Sequence, residues 1–368
     1  MNNDDKYFLA FSALATINPL FKAKLFEYFN FDIKKAFEAS KNDLKELYKY
    51  NEGNLSIPRD FEKLRDNTDP NSVLEDFKTL QDKENIGYIT YHSPEYPKLL
   101  KNIPDFPLSL YYKGSFEGIN FDRTVAFVGS RKASINAKET LGAIISDFKN
   151  LDIVIVSGLA EGIDAKSHQS AVENGIKTIG VIGSGFKFKY PLSNKNLYEK
   201  MENGAGLILS EYPYEMPPLA YQFPQRNRIV TGMSKGTVVA EAKMKSGAMI
   251  SARLTLEYNR ELMCIPGLIS NPNTEGIYHL LKNGAAMVTN TNDILEALNW
   301  DIKTETHPQK TLSEIEEKIY NEIALGDKNI EDLASVLNIN ISDLMVNLTS
   351  MELNGLIKQA GGNYFISG

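Results

Sequence analysis

The spacing of apolar residues changes character along the chain. Over the first eighty or so residues it suits helical faces, as in YFLAFSALATI and AKLFEYF, with Asn18–Pro19 breaking the first pair. A third helix is predicted through IKKAFEASKNDLKELY. The first glycine is Gly53, so residues 1–85 read as a small helical domain with little sharp-turn chemistry. Residues 86–112, rich in Pro and Tyr, read as an extended lead-in packed on the next domain. From about 123, short β-branched runs each end near glycine: TVAFVGS, DIVIVSG, KTIGVIGSG, AGLILSEY, GTVVAEA, ELMCIPG and AAMVT. Helix-like stretches separate them. Strands alternating with helices predict an α/β fold, a parallel sheet with helices on both faces. The core domain is placed at 86–300 and a linker at 301–312. Residues 313–368 give three helical stretches and a hairpin, LIKQAGGNYFIS, which is a winged-helix outline.

Length and composition narrow the classes. A chain of 368 residues suggests two or three domains. The single cysteine, Cys264, excludes an internal disulfide and a Cys-based metal cluster, and it fits a reducing cytosol. The four histidines are far apart, and neither a metal nor a cofactor is expected. No apolar run approaches the roughly 20 residues of a membrane helix. The start, MNNDDKYFLAF, lacks the basic region and cleavage site of a signal peptide. A soluble, cytoplasmic protein without membrane contact is the expectation. The net charge of −7 argues at first against nucleic acid. Its distribution alters that picture. Residues 1–110 carry 15 Lys/Arg against 18 Asp/Glu, 111–300 carry 20 against 18, and 311–368 carry 3 against 9. The middle is the most basic part and the tail is acidic.

Ligands of open parallel sheets bind beyond the carboxyl ends of the strands. Here those ends carry Gly129-Ser130-Arg131, Ser157-Gly158, Gly183-Ser184-Gly185, and Gly232 with Gly236. Glycine admits a close backbone approach, and the helix that follows offers free N–H groups, so the expected ligand is anionic. The stretch VGSRKASINA is not G-x-G-x-x-G, and no Walker A loop occurs. One G-x-S-x-G, Gly232 to Gly236, has a helix before it and a strand after it, the reverse of a nucleophile elbow. Arg131 follows a buried-looking strand and points into the crevice. Phe223, Arg226, Asn227 and Arg228 place an aromatic face beside two cations, a combination suited to single-stranded nucleic acid. Lys187, Lys189 and Lys195, flanking Tyr190–Pro191, extend a positive rim. His168 reads as a structural hydrogen-bonding residue.

At these residues the chain resembles the DNA-processing protein A family (DprA, also called Smf). The matching stretches are VAFVGSR, VIVSGLAEGIDAKSHQSA, TIGVIGSGF with YPLSN, LILSEYP, FPQRNRIVTGMSKGTVVAEA, SGAMISARL and CIPG, in order from about 123 to 267. The resemblance implies an extended Rossmann-like core that binds single-stranded DNA (ssDNA), protects it during natural transformation and loads the recombinase RecA, with no catalysis. It implies DNA contact by Arg131 and a pocket bordered by Phe223 to Arg228. Asn194 falls in the family's YPLSN stretch and joins the candidate DNA contacts. Family members often carry a lysine after Tyr-Pro, where this chain has Leu192; Lys195, or Lys187 and Lys189, are expected to replace that charge. A homodimer and RecA contacts are implied at Met244, Tyr278, Leu281 and Lys282. The N-terminal helices resemble the sterile-alpha-motif-like (SAM-like) domain of some members, without its hairpin glycine.

The expected mechanism is electrostatic. Backbone N–H groups at Gly129–Arg131, Gly158 and Gly183–Gly185 hold phosphates. Arg131, Arg226 and Arg228 neutralise charge, and Phe223 offers a stacking face. The tail's third helix, about 341–354, has no Lys or Arg and carries Asp343 and Glu352. That predicts a module for protein, or for the basic core, rather than for DNA. The alternative is a nucleotide-binding module or a nucleoside monophosphate phosphoribohydrolase on the same fold, with Glu241 as its carboxylate.

Overall fold

The computed structural model describes residues 4–300, 313–326, 328–353, 356–360 and 362–366. The expected linker, 301–312, and Gly361 of the Gly-Gly-Asn turn lie outside the described residues. The chain divides into two compact units, Met1–Asp301 and Ile302–Gly368.

The first unit begins with six helices: α1 Asp5–Ala13, α2 Pro19–Tyr28, α3 Ile33–Phe37, α4 Lys41–Tyr50, α5 Phe61–Asp66 and α6 Pro70–Glu84. Asn18 caps α2 by accepting from the Leu20 N–H at 2.8 Å, with Pro19 at the first helical position. The single helix expected over 33–48 is two. Ser40 accepts from the Asp43 N–H at 3.2 Å while its own N–H donates to the Asp43 carboxylate at 2.8 Å. This reciprocal cap starts a new helix where apolar spacing alone runs on.

Nine strands follow: β1 Gly87–Thr90, β2 Ser109–Gly114, β3 Thr124–Val128, β4 Val154–Ser157, β5 Thr178–Ile182, β6 Leu207–Ser210, β7 Gly236–Val239, β8 Glu261–Cys264 and β9 Ala286–Met287. Between them run α7 Ile135–Ser146, α8 Ile163–Glu173, α9 Lys195–Lys200, α10 Gln222–Gly232, α11 Gly247–Glu257 and α12 Glu275–Lys282, and α13 Thr291–Ala297 comes after. The sheet order is β1-β2-β6-β5-β4-β3-β7-β8-β9. All seven glycine-ended runs are strands, and β3 to β9 pair in parallel. The lead-in supplies two more. β1 pairs with β2 and β2 with β6, both antiparallel, so the sheet is mixed at that edge. Every residue of β3 through β7 is buried, as expected of strands covered on both faces.

The chain leaves β3 toward β4, β5 and β6, then crosses back to lay β7 on the other side of β3. The β3/β7 boundary is therefore the switch point, where a crevice opens at the carboxyl edge. One apolar cluster joins Phe8, Phe21 and Phe26 of the early helices to Phe106 and Leu110 of the lead-in and to Val128 and Val156 of the sheet.

In the second unit, α14 Glu314–Ala324, α15 Ile330–Leu337 and α16 Ile341–Leu353 accompany a three-stranded antiparallel sheet. Its strands are β10 Lys328–Asn329, β11 Ile357–Ala360 and β12 Asn363–Ile366, in the order β10-β12-β11. Ile319, Leu333, Leu344 and Leu348 form its core. Among the described residues no helix is long and apolar enough to cross a membrane.

One buried cation marks the seam between α2 and the sheet. Lys22 donates to the Phe11 carbonyl at 2.8 Å, and burial pushes its ammonium down to about 8, with Glu211 opposing and Arg228 reinforcing the shift. An unfolded lysine titrates near 10.4. Between those values the unfolded chain binds the extra proton, so stability rises with pH. The stability of wild type relative to Lys22→Met should climb by up to about 3 kcal/mol from pH 8 to 10.5. Thermal unfolding of both proteins across that range checks it, and a flat difference contradicts the burial argument.

Candidate nucleic-acid interface

The β3 strand ends in Gly129-Ser130-Arg131, and the turn is held on two sides. The Ser130 N–H donates to the Glu241 carbonyl at 2.8 Å, and the Ser130 carbonyl accepts from the Ile163 N–H at 3.2 Å. Gly162, at φ +77°, precedes α8; a Cβ there would fall 2.1 Å from the Ser130 carbonyl oxygen and 2.5 Å from that of Arg131. Only glycine lets α8 start this close to the turn.

Arg131 is exposed, and its guanidinium carbon lies 5.4 Å from the centre of the Phe223 ring, within cation–π range. Tyr190 lies on the same ring at 5.5 Å between centroids, tilted by 40°. Beneath them is a cleft of about 260 Å³ that brings together Gly129, Ser130, Arg131, Phe223, Arg226 and Asn227. The Arg226 guanidinium lies on the bare face of Gly158, where a Cβ would stand 1.5 Å from Nη1. Burial lowers the Arg226 pKa, opposed by the charge of Asp164. Asp164 is itself raised by burial, with Arg226 opposing, and it accepts the Gly158 N–H at 3.1 Å.

Several expected contacts point elsewhere. Arg228 is turned away from the cleft. Its Nη2 meets both Glu211 oxygens at 2.7 Å and its Nε approaches Asp105 at 3.4 Å. Burial lowers this guanidinium, but the two carboxylates outweigh it and the net shift is upward. On a helix, residues 226 and 228 stand about 200° apart, so both cannot face one pocket. The expectation that the N–H groups of Ser130, Gly158 and Gly185 hold phosphates is also corrected. They donate to the Glu241 carbonyl, the Asp164 carboxylate and the Met216 carbonyl. Ser157 is buried and donates to the Phe127 carbonyl at 2.6 Å. Ser184 is buried, its carbonyl accepting from the Ser210 hydroxyl at 2.7 Å, and Gly183 packs beside Phe223. Asn194 is buried and donates to the Leu159 and Ala160 carbonyls at 2.9 and 3.1 Å, bracing the β4 loop. Each lysine of the rim faces a carboxylate: Lys187 meets Glu215, Lys189 meets Glu202 at 2.8 Å, and Lys195 approaches Glu199 at 3.9 Å.

The cleft holds residues that sequence reasoning missed. Asp164, Lys243, Ser246 and Ser251 line it. Lys243 stands two residues past Glu241, beyond β7, and it is exposed. Its place after a strand end was the available signal. His168 is buried against Thr178, with Nδ1 and Oγ1 2.7 Å apart, and burial followed by the Arg226 charge pushes it down to about 3. It therefore stays neutral at ordinary pH and serves packing. Of the residues expected at a partner surface, Met244 and Lys282 are exposed. Leu281 is half-buried on the core, and the Tyr278 hydroxyl donates to the Gly267 carbonyl.

The family model of DNA recombination-mediator protein A matches residues 87–299, the part that carries this cleft. The chain belongs to that family. The DNA processing protein DprA of Streptococcus pneumoniae is 43% identical over 200 residues, 54% of this chain and 70% of the relative. Protein Smf of Synechocystis is 33% identical over 300 residues, 81% of this chain and 73% of the relative. The X-ray structure of S. pneumoniae DprA superposes with a TM-score of 0.66 at 33% identity, covering 80% of this chain and 98% of that one. A structure of Helicobacter pylori DprA, described for its single-stranded DNA binding mode, superposes at 0.52 and 29% identity, covering 58% and 95%. The α/β architecture with a large, mostly parallel sheet is thus shared with solved DprA proteins.

Because a Cβ at Gly162 meets backbone rather than a yielding side chain, Gly162→Ala should destabilise the first unit by about 2 kcal/mol or more. Urea unfolding monitored by tyrosine fluorescence measures this; a loss under about 0.5 kcal/mol contradicts the packing argument.

Proposed function

We propose that this DprA/Smf member binds single-stranded DNA at the Arg131 cleft, protects the incoming strand and passes it to RecA during natural transformation. The observation that carries the reading is the joining of Arg131, the Phe223 ring and Arg226 in one cleft at the sheet's switch point. A cation beside an aromatic face suits a phosphate next to an unstacked base, and neither feature reads sequence. The cytosol is the proposed setting, and no catalytic step is assigned.

A homodimer is part of the proposal, with Met244, Tyr278, Leu281 and Lys282 at the interface that RecA also approaches. Two clefts on one strand would raise affinity through effective concentration. The C-terminal unit is read as a winged helix that takes protein. Its α16 exposes Ile341, Met345 and Val346, and Asp343 lies in its first turn. That surface is apolar and acidic, which suits a protein contact and repels phosphates.

The test is fluorescence anisotropy of labelled oligo-dT with unlabelled duplex as competitor. Wild type should bind in a salt-sensitive way that duplex does not displace. Arg131→Ala should weaken binding at least tenfold and lower the salt slope by about 0.7. A folded wild type that leaves oligo-dT unbound overturns the reading. Lys187→Ala, Lys189→Ala and Lys195→Ala address the charge missing at Leu192. At least one should weaken binding by about threefold or more, a loss of at least about 0.6 kcal/mol; no change in all three removes these lysines from the DNA path.

A further inference from the structure

On the other side of the Ser130–Ser134 loop from the Arg131 cleft lies a second cavity of about 380 Å³, and nothing in the DNA reading uses it. Among its lining residues is Glu241, 2% exposed, two residues past the end of β7. Its backbone sits at φ +135°, a conformation L residues rarely adopt. Its Oε2 accepts from the Ser134 hydroxyl at 2.7 Å and from Asn271 Nδ2 at 3.1 Å. Its Oε1 has only the Ser134 N–H at 3.3 Å, which Oε2 shares at 3.3 Å. Among the described residues no Lys, Arg or His stands within 4.0 Å of the carboxylate. A buried carboxylate without a counter-cation, with acceptor capacity left on one oxygen, calls for N–H donors.

The walls narrow the donor's identity. Ile265, Pro266 and Leu268 give apolar faces. Leu268 is 63% exposed although it lines the cavity. Asn136 and Thr140 of α7 border the opening and are themselves exposed. The space suits a flat ring rather than a lone ammonium. It is also adjacent to the strand's proposed path, since Ser130, beside Arg131, is hydrogen-bonded to the Glu241 backbone.

We propose that this cavity takes a nucleobase whose edge carries adjacent N–H donors, guanine foremost. Guanine presents N1–H and an exocyclic amine side by side. Thymine presents a single N–H between two carbonyls, which a carboxylate repels. The inference rests on the ssDNA reading for its preferred source of the base, a nucleotide turned in beside the phosphate at Arg131. A free guanine nucleotide offers the same edge.

The experiment uses the full chain and oligo-dT carrying isolated guanines, against plain oligo-dT of equal length. Wild type should bind the guanine-bearing strand about tenfold more tightly, the scale of one good base contact. Glu241→Gln should lose that preference. Thr140→Trp, which blocks the opening from the exposed face of α7, should lose it too, so the result does not hang on one buried substitution. Calorimetry with deoxyguanosine monophosphate separates the sources. Binding of the free nucleotide without a strand preference, abolished by the same variants, keeps the cavity and makes the nucleotide its ligand. Equal affinity for both strands with no nucleotide binding overturns this inference and leaves the ssDNA reading standing. Failure of either strand to bind while the nucleotide does bind reverses that outcome.

Discussion

The geometry of the carboxyl edge depends on one helix holding two buried guanidinium groups in opposite directions. Burying a guanidinium is costly unless its charge is met. On α10, Arg228 meets that requirement with Glu211 past β6 and Asp105 of the lead-in, and so clamps the helix to the antiparallel edge. With that side fixed, Arg226 has one place to go, across Gly158 toward Asp164. The clamp and the cleft are therefore a single arrangement. The polar groups of the turn are spent within the protein: Glu241 and Asp164 engage the Ser130 and Gly158 N–H groups, which are thereby closed to an anion.

This division of labour alters how the glycines are understood. Those at the strand ends admit close approach, as expected, but what approaches is largely the protein itself. Arg226 fills the face of Gly158, and the Ser130 and Arg131 carbonyls fill that of Gly162. The cationic side chains the cleft leaves exposed are Arg131 and Lys243.

The alternation of β-branched runs and helices made seven strands legible; five of them, β3 to β7, are buried throughout and have little polar content, while β8 and β9 at the edge are only partly buried. β1 and β2 were not legible as strands. They hold Tyr88 and Tyr111 against Phe77 of α6 rather than repeating the apolar runs, and their pairing depends on β6, far along the chain. The motif residues of the cleft were legible as a set, but their directions were not. Arg226 and Arg228 look equivalent in sequence, and helical phase together with two distant carboxylates separates them. The lysines of the rim likewise carry partners, Glu202 and Glu215, that only the fold brings near.

The pairing of β2 with β6 also bears on how the chain is made. Tyr111 stands opposite Ser210, and Ser12 of α1 is hydrogen-bonded to Ser109 of β2 at 2.8 Å. On a ribosome the early helices and the lead-in emerge well before β6. At roughly 5–20 residues per second, the edge they are to cover is absent for about 5–20 seconds. For that interval the phenylalanine-rich face of α1 and α2 has no sheet to pack on. The nascent chain thus presents a broad apolar surface, with Phe8, Phe11, Phe21 and Phe26, at the stage when chaperones that recognise such surfaces have first access to it.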